Sequence, residues 1–301
     1  MYDLVSFGDI VIDLFFKGET LTFKDNRFQL AVGGKYFVDH FSESLGGGGA
    51  NVAVGTAHFG LNTAICGKVG ENVFKQIIIQ KLIKKNVSTE FLLHEKQYLN
   101  LSSIYLTEKG ERSIVNYQTH DTAFFINPVL MDNMIKTKCV YMGNLPDTPI
   151  EEKIIILKRF KENNVKTILN IGVNDCRKGK KDLEHLLEMA DIFIINRYEY
   201  ADIVKKEAEK LDLEKDCANE IKFDKKVLVI TDSSKGSYLY HDKKIIHQKA
   251  LEPNKILDTT GAGDAFTSGF ISGYLKEESL EDSMKQGAQY ACDILGKYGA
   301  Q

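Results

Sequence analysis

The hydrophobic residues of the chain fall into short runs with two different spacings. Residues 3–13 form a mostly apolar run typical of a buried strand, whereas residues 73–85 place apolar side chains every three to four positions, as in an amphipathic helix. Further strands are predicted near 63–67, 138–143, 166–171, 191–195, 227–231 and, as a pair, 237–248. Further helices are predicted near 50–59, 150–163, 182–189, 198–210, 262–276 and 280–296. Strands that alternate with helices predict an α/β fold, with a mostly parallel sheet covered by helices on both faces.

Two segments depart from this alternation. Residues 14–45 mix aromatic, charged and Gly-Gly elements and fit hairpins better than a helix. In residues 98–123, the runs 102–107 and 112–117 flank the turn residues 108–111, a pattern typical of a β-hairpin. We therefore expect one domain over residues 1–301, with a small β-rich lid formed by about 14–45 and 98–123.

Composition and charge exclude several classes of protein. The formal net charge is −3 and the lysines are spread along the chain, so no strongly basic face for nucleic acid is expected. The five cysteines are far apart and form no Cys-x-x-Cys pair, so buried thiols in a reducing compartment are favoured over zinc ligands or disulfides. The sequence shows no basic secretory leader and no run that would span a bilayer, so no membrane partner is expected and the cytoplasm is the predicted location.

The most informative segment is Asp258-Thr-Thr-Gly261-Ala-Gly-Asp264, which joins a strand end to a helix of small residues. The start of a helix presents unpaired backbone N–H groups and favours negative charge, and small residues let a phosphate approach. Gly261, Ala262 and Gly263 would thus form an anion hole. Asp264, in the first turn, could accept the proton of an attacking hydroxyl. The alternative is a tight loop in which Asp264 only caps the helix.

The same segment resembles the C-terminal signature of the ribokinase-like (PfkB) carbohydrate kinase family. The stretch Gly46-Gly-Gly-Gly-Ala-Asn51, followed by Gly60 and Gly70, resembles the N-terminal signature at the family's spacing. The resemblance covers essentially the whole chain and implies a ribokinase-like three-layer fold and an ATP-dependent kinase that uses Mg²⁺. Competing phosphate-binding motifs are absent, because the sequence contains neither Gly-x4-Gly-Lys-Ser/Thr nor a strict Gly-x-Gly-x-x-Gly at either glycine-rich site.

The resemblance also implies residues that bind the substrate. Asp13 matches an aspartate that binds substrate hydroxyls at the end of the first strand, and an ionised carboxylate can accept two such hydrogen bonds. Gly46, Gly47 and Asn51 match the family's substrate loop. The alternatives are a strand-end aspartate that caps a turn, and a glycine-rich turn in which Asn51 caps the following helix.

On the nucleotide side, Asn196 and Glu199 match an Asn-x-x-Glu element that organises Mg²⁺ through water, although the same pair could form a helix capping box. Thr231 and Gly236 match a nucleotide loop in which Ser233 replaces a glycine. Asn174 loosely matches another nucleotide element. The resemblance further implies a K⁺ site beside the anion hole, through Asp258 and the carbonyl of Thr260.

The predicted reaction is phosphorylation of a hydroxyl, expected to be primary, of a free sugar such as ribose or fructose. A nucleoside is the second candidate, because nucleoside kinases share this fold. A catalytically silent sugar-binding regulator is a third reading, which the intact Asp264 and its anion hole disfavour. Lids of the family often pair between subunits through exposed β edges, so a homodimer through the lid is also expected.

Overall fold

The apolar run at the start of the chain divides between two sheets. In the computed structural model, which describes residues 1–25, 27–107, 112–120, 124, 126–223, 225–297 and 299–300, the first strand ends at Phe7 and a second begins at Val11. The prediction of one strand over 3–13 is therefore wrong. A Cβ on Gly8 would lie 2.8 Å from the Cα of Gly49, so the chain turns here against backbone that leaves no room for a side chain.

The described residues contain 17 strands and ten α-helices. The strands up to residue 118 are β1 (Tyr2–Phe7), β2 (Val11–Lys17), β3 (Thr22–Lys24), β4 (Arg27–Gln29), β5 (His40–Gly46), β6 (Thr63–Cys66), β7 (Lys68–Gly70), β8 (Val87–Ser88), β9 (Leu93–Glu95), β10 (Asn100–Leu106) and β11 (Arg112–Gln118). The later strands are β12 (Thr137–Met142), β13 (Lys166–Leu169), β14 (Ile192–Asn196), β15 (Val227–Thr231), β16 (Ser237–His241) and β17 (Lys244–Gln248). The helices are α1 (Gly48–His58), α2 (Lys75–Lys84), α3 (Pro128–Met134), α4 (Ile150–Glu162), α5 (Val173–Cys176), α6 (Lys180–Met189), α7 (Arg197–Val204), α8 (Cys217–Glu220), α9 (Ala262–Leu275) and α10 (Leu280–Leu295).

Nine strands form the main sheet, in the order β17-β16-β15-β14-β13-β12-β1-β6-β8. All pairs from β15 to β8 are parallel, and β16 and β17 add an antiparallel hairpin at one edge. Successive residues of β1 face opposite sides: Val5 packs in a core that includes α4, α6 and α7, while Leu4 packs in one that includes α1, α9 and α10. The predicted parallel sheet with helices on both faces is confirmed.

A second sheet, called here the small sheet, has the order β11-β10-β2-β5. It brings together the two segments that broke the alternation of strands and helices. The strands of the predicted hairpin at 102–107 and 112–117 are confirmed as part of β10 and β11, and its turn at 108–111 lies outside the described residues. Two further pairs, β3-β4 and β7-β9, form separate two-stranded sheets.

Helix boundaries differ from prediction where local signals compete with the apolar pattern. The helix predicted over 198–210 ends at Val204, because Lys205 adopts a left-handed conformation (φ 57°). Helix α3 was not predicted, although the sequence Asn127-Pro128 carries its start signal: the Asn127 side chain accepts a hydrogen bond from the Leu130 N–H at 2.8 Å. Over the described part of the chain, every helix is too short or too polar to cross a membrane.

Candidate active site

The predicted site residues gather at one edge of the main sheet. Parallel strands place their carboxyl ends together, and the loops that follow β1, β14 and β15 all leave from that edge. Asn196 and Thr231 are paired in register at the ends of β14 and β15. Ligands in open α/β sheets bind outside such carboxyl ends, so this edge is the natural place for a substrate cleft.

The start of α9 has the geometry of an anion hole. Gly261, the residue before the helix, is left-handed (φ 76°), and a Cβ there would lie 2.2 Å from the Cβ of Ala300. The first hydrogen bond within the helix runs from the Ala265 N–H to the Gly261 carbonyl, at 2.8 Å. The N–H groups of 262–264 come before it and therefore have no acceptor within the helix. No described atom would come within 4 Å of a Cβ on Gly263, which leaves open space beside these donors.

Asp264 lies next to this opening and is held by the substrate loop. The Asn51 side-chain amide, from the first turn of α1, donates to Asp264 Oδ2 at 2.8 Å. The two helices can approach because Gly55 of α1 packs directly against Ser268 of α9, where a Cβ would lie 2.3 Å from Ser268 Oγ. Burial raises the pKa of the Asp264 carboxyl, and the hydrogen bond from Asn51 partly opposes that shift. The two glycine-rich motifs therefore meet at one carboxylate.

Asp13 lies against Gly46 of the predicted substrate loop. It is 6% exposed, and burial raises the pKa of its carboxyl, with a hydrogen bond from Ser102 opposing and the nearby charge of Asp258 adding to the shift. A Cβ on Gly46 would lie 2.1 Å from Asp13 Oδ2, and one on Gly47 (φ 89°) would lie 2.4 Å from the Asp9 carbonyl oxygen. The glycines thus leave space for the carboxylate and for the chain turn.

Asp258 is already surrounded by donors in this structure. Its carboxylate accepts hydrogen bonds from Thr260 N (2.9 Å), Thr260 Oγ1 (2.7 Å) and Gly299 N (3.1 Å), and it forms an ion pair with Arg112 of the small sheet. A cation bound here would compete with these donors for the carboxylate oxygens. The K⁺ site implied by the resemblance stays a prediction, and no chemical step below depends on it.

Arg112 was not identified from the sequence. Its partner lies 146 positions later in the chain, and no short motif marks the contact. The guanidinium neutralises the carboxylate of Asp258, a residue that is only 4% exposed.

We expect Arg112→Gln to lower stability by about 2 kcal/mol, because it leaves the Asp258 charge buried without a counter-charge while Arg112 itself is partly exposed. Thermal denaturation measures this loss. Arg159→Gln, at an exposed ion pair with Asp132, is the matched control and should change stability by only a few tenths of a kcal/mol. Equal effects of the two substitutions would contradict the role of Arg112.

Asn196 and Glu199 form the capping box that the sequence left as an alternative. The Glu199 N–H donates to Asn196 Oδ1 at 2.9 Å, and the Asn196 N–H donates to Glu199 Oε2 at 3.2 Å. Burial raises the pKa of Glu199 to about 7, with the charges of Asp264 and Asp202 adding to the shift. A direct Mg²⁺ cage of three or more His, Cys, Asp or Glu side chains is not found among the described residues. A nucleotide-bound Mg²⁺ keeps several waters, so Glu199 alone fits a contact through water.

The raised pKa of Glu199 predicts how the stability of the fold depends on pH. Since the folded protein holds the proton more tightly than the unfolded chain, Glu199 favours folding at pH values below the unfolded pKa, and this contribution is lost as pH rises to about 7. Glu199→Gln should therefore be more stable than the original protein at pH 8 and similar to it at pH 5. Denaturant titrations at both pH values measure the difference. An equal effect at the two pH values would contradict the assignment.

The remaining nucleotide-side residues lie along the same edge. Asp232, directly after Thr231, forms an ion pair with Arg197 at 2.5 Å. Ser233 is left-handed (φ 50°), which explains why a glycine is expected there. Gly236 (φ 98°) ends this turn, and a Cβ on it would lie 2.0 Å from the Gln248 carbonyl. Asn174 is exposed on α5, which follows β13. The nucleotide roles of these residues stay predictions.

A family model described as pfkB family carbohydrate kinase matches residues 1–301. An uncharacterized sugar kinase of Archaeoglobus fulgidus is 26% identical over 253 residues, covering 82% of this chain and 97% of that protein. A 5-dehydro-2-deoxygluconokinase of Clostridium botulinum is 24% identical over 305 residues, covering 91% and 89%.

Among solved structures, the ribokinase of Arabidopsis thaliana, complexed with ribose and ATP, has a TM-score of 0.80 at 22% identity and covers 99% of this chain and 94% of its own. That likeness confirms the ribokinase-like fold, and the family match agrees with the resemblance of the two glycine-rich motifs. The chain belongs to the pfkB family of carbohydrate kinases and is a phosphotransferase with an alcohol group as acceptor.

Proposed function

We propose that the protein transfers the terminal phosphoryl group of ATP to a hydroxyl, most simply a primary one, of a free sugar such as ribose or fructose. The observation that carries the proposal is the position of Asp264, a carboxylate in the first turn of α9, beside the N–H groups that precede the helix and bonded to Asn51 at 2.8 Å. This arrangement places a base and an anion-stabilising group at one point.

In the proposed mechanism the sugar lies between Asp13, Gly47 and Asn51, and the small sheet closes over it to exclude water. Asp264 accepts the proton as the sugar oxygen attacks the terminal phosphorus. The new O–P bond forms while the bond to the bridging oxygen breaks, ADP leaves with that electron pair, and Asp264 later returns the proton to solvent. The N–H groups at the start of α9 stabilise charge on the transferred group. A raised pKa at Asp264 makes it a better proton acceptor.

Glu199 would hold a Mg²⁺ ion through water, with Asn196 fixing the orientation of the Glu199 side chain through the capping box. When bound, such an ion supplies positive charge that offsets the charge of the phosphates. Thr231, Gly236 and Asn174 are proposed to contact the nucleotide from the same edge of the sheet.

The lining of a cleft beside the substrate loop supports a sugar over a nucleoside. This cleft is lined by the polar side chains of Asp9, Lys68, Gln118 and Asp147, by Tyr98, and by the apolar side chains of Phe124, Leu145 and Pro146. It adjoins the loop because the Asp9 carbonyl lies against Gly47. Burial and the charge of Asp147 raise the pKa of Asp9 to about 7. Charged and amide groups suit the several hydroxyls of a sugar better than the flat apolar face of a nucleobase. The names of the Archaeoglobus fulgidus and Clostridium botulinum relatives point the same way.

The proposal is tested by measuring ADP release from ATP and Mg²⁺ with a panel of free sugars, sugar acids, sugar phosphates and nucleosides. Turnover of a free sugar, with product phosphate verified by mass spectrometry, is expected. Preferential turnover of a nucleoside would replace the sugar by the second candidate. If no panel member is phosphorylated although ATP binds, the kinase proposal fails and a sugar-binding regulator becomes the better reading.

The homodimer through the small sheet stays a prediction. The face of this sheet turned away from Asp13 exposes Phe41, Val115 and Tyr117, which are 53%, 61% and 56% exposed. Large apolar side chains grouped on one face suit contact with a second copy.

A further inference from the structure

Four polar side chains form a row across the small sheet. Ser44 of β5 is paired in register with Asp13 of β2, Asp13 with Ser102 of β10, and Ser102 with Asn116 of β11. Residues directly opposite each other on neighbouring strands point to the same face of a sheet. All four side chains therefore share one face, one from each strand, and are called here the polar row.

The polar row faces the candidate active site. A Cβ on Gly299, whose N–H binds Asp258, would lie 3.2 Å from Ser44 Oγ. Asp13 lies close enough to Asp258 for the charge of Asp258 to raise the pKa of Asp13. Arg112, four residues before Asn116 on the same strand and hence on the same face, forms the ion pair with Asp258. Contacts from three of the four strands thus direct this face toward the start of α9.

On one side the row is bounded by apolar side chains of three strands. The next positions outward on the same face are Phe15, Ile104 and Ile114, on β2, β10 and β11. Phe15 and Ile104 are 3% and 1% exposed. On the other side of the row, Asn100 of β10 and Gln118 of β11 share the same face, so apolar side chains bound the polar row on one side only.

Two members of the row have hydrogen-bonding capacity left over. Ser44 Oγ is the buried side-chain polar atom with no hydrogen-bond partner in the described residues. Such an atom costs free energy unless a ligand or water satisfies it. At the other end of the row, Asn116 is exposed and carries both a donor and an acceptor group. Between them, Asp13 receives a hydrogen bond from Ser102.

We propose that the polar row binds successive hydroxyls along one edge of the sugar, and that Asn116 selects the hydroxyl farthest from Ser44. The proposal rests on the proposed sugar kinase function and names the residues that recognise the substrate. Asp13 and Asn116 are two strand spacings apart, roughly 10 Å. A sugar of five or six carbons spans that distance together with the two side chains. The row thus favours a substrate with hydroxyls along its whole length over one with an apolar end.

The test compares Asn116→Leu with the unaltered protein on the best sugar of the panel and on each of its monodeoxy analogues. Leucine keeps the size of asparagine but removes its hydrogen bonds, and the exposed position leaves folding unaffected. We expect KM for the sugar to rise about tenfold while kcat changes less than threefold. On the one analogue that lacks the selected hydroxyl, the two proteins should have the same KM, because the partner of Asn116 is already missing.

Ser113→Ala is the matched control, since this residue of β11 points to the opposite face of the sheet. It should leave both constants unchanged. Binding of the sugar alone, measured by calorimetry without ATP, should show the same tenfold loss for Asn116→Leu.

An unchanged KM for Asn116→Leu on every sugar, with phosphotransfer intact, would overturn the role of the polar row and leave the proposed function standing. A tenfold loss that persists on every monodeoxy analogue would also overturn it, since no single hydroxyl would then be the partner. Absence of phosphotransfer to any sugar by the unaltered protein would instead overturn the proposed function itself.

Discussion

Replacing Asp264 with asparagine is expected to lower kcat by about 10²–10⁴-fold, the range for loss of a positioned general base. Asparagine fills the same space but cannot take the proton of the attacking hydroxyl. KM for ATP should change less than threefold, because the N–H groups at the start of α9 are backbone groups and remain in place. Steady-state kinetics with the sugar identified by the panel measure both constants.

The matched control is Asp282→Asn, which alters an exposed carboxylate in the first turn of α10 that pairs with Lys285 at 2.9 Å. It should leave kcat unchanged. Thermal stability of Asp264→Asn should be equal to or above that of the original protein, because burial raises the pKa of Asp264 and so disfavours its charged form in the fold. Turnover within tenfold of the original would remove Asp264 from its role as base.

Replacing Asp13 with asparagine is expected to raise KM for the sugar by about 10–100-fold, the loss of one charge-assisted hydrogen bond. Because Asp13 does not touch the reacting hydroxyl in the proposed mechanism, kcat should fall much less than KM rises. Sugar titrations by calorimetry, without ATP, should show the same loss of affinity.

The same substitution should make the protein more stable at neutral pH. The pKa of Asp13 is raised in the fold, so its charge disfavours folding at pH values above the ordinary aspartate pKa, and this cost disappears in acid. Asparagine carries no charge at any pH. A substitution that raises stability and lowers affinity is typical of a residue that serves ligand binding rather than folding. Glu43→Gln, on the opposite face of β5, should change neither property, and a drop in stability for Asp13→Asn would contradict this interpretation.

The parts of the site that the sequence predicted are those encoded by neighbouring residues. The helix that begins after Gly261 and the one that begins after Gly47 both follow local glycine patterns, and both are where they were expected. Most strands of the main sheet are apolar runs of ordinary length and were predicted, whereas β1 was predicted too long and the two-residue strand β8 was not predicted.

The missing parts depend on pairing between distant segments. The polar row exists only because β5, β2, β10 and β11 adopt one register, and a shift of a single residue would turn Asp13 to the other face. The contact of Arg112 with Asp258 likewise depends on where the small sheet lies. The division of the first apolar run at Gly8 was missed because both of its halves are apolar, so periodicity alone could not separate them.

The hydrogen bond between Asn51 and Asp264 has a consequence for synthesis of the chain. It joins residues 213 positions apart, so the proposed base and the residue that holds it are made at very different times. A ribosome will already have released the glycine-rich loop, α1 and most of the main sheet before α9 emerges. Every shorter nascent chain consequently lacks one member of this pair, so the hydrogen bond between α1 and α9 forms only after residue 264 has been made.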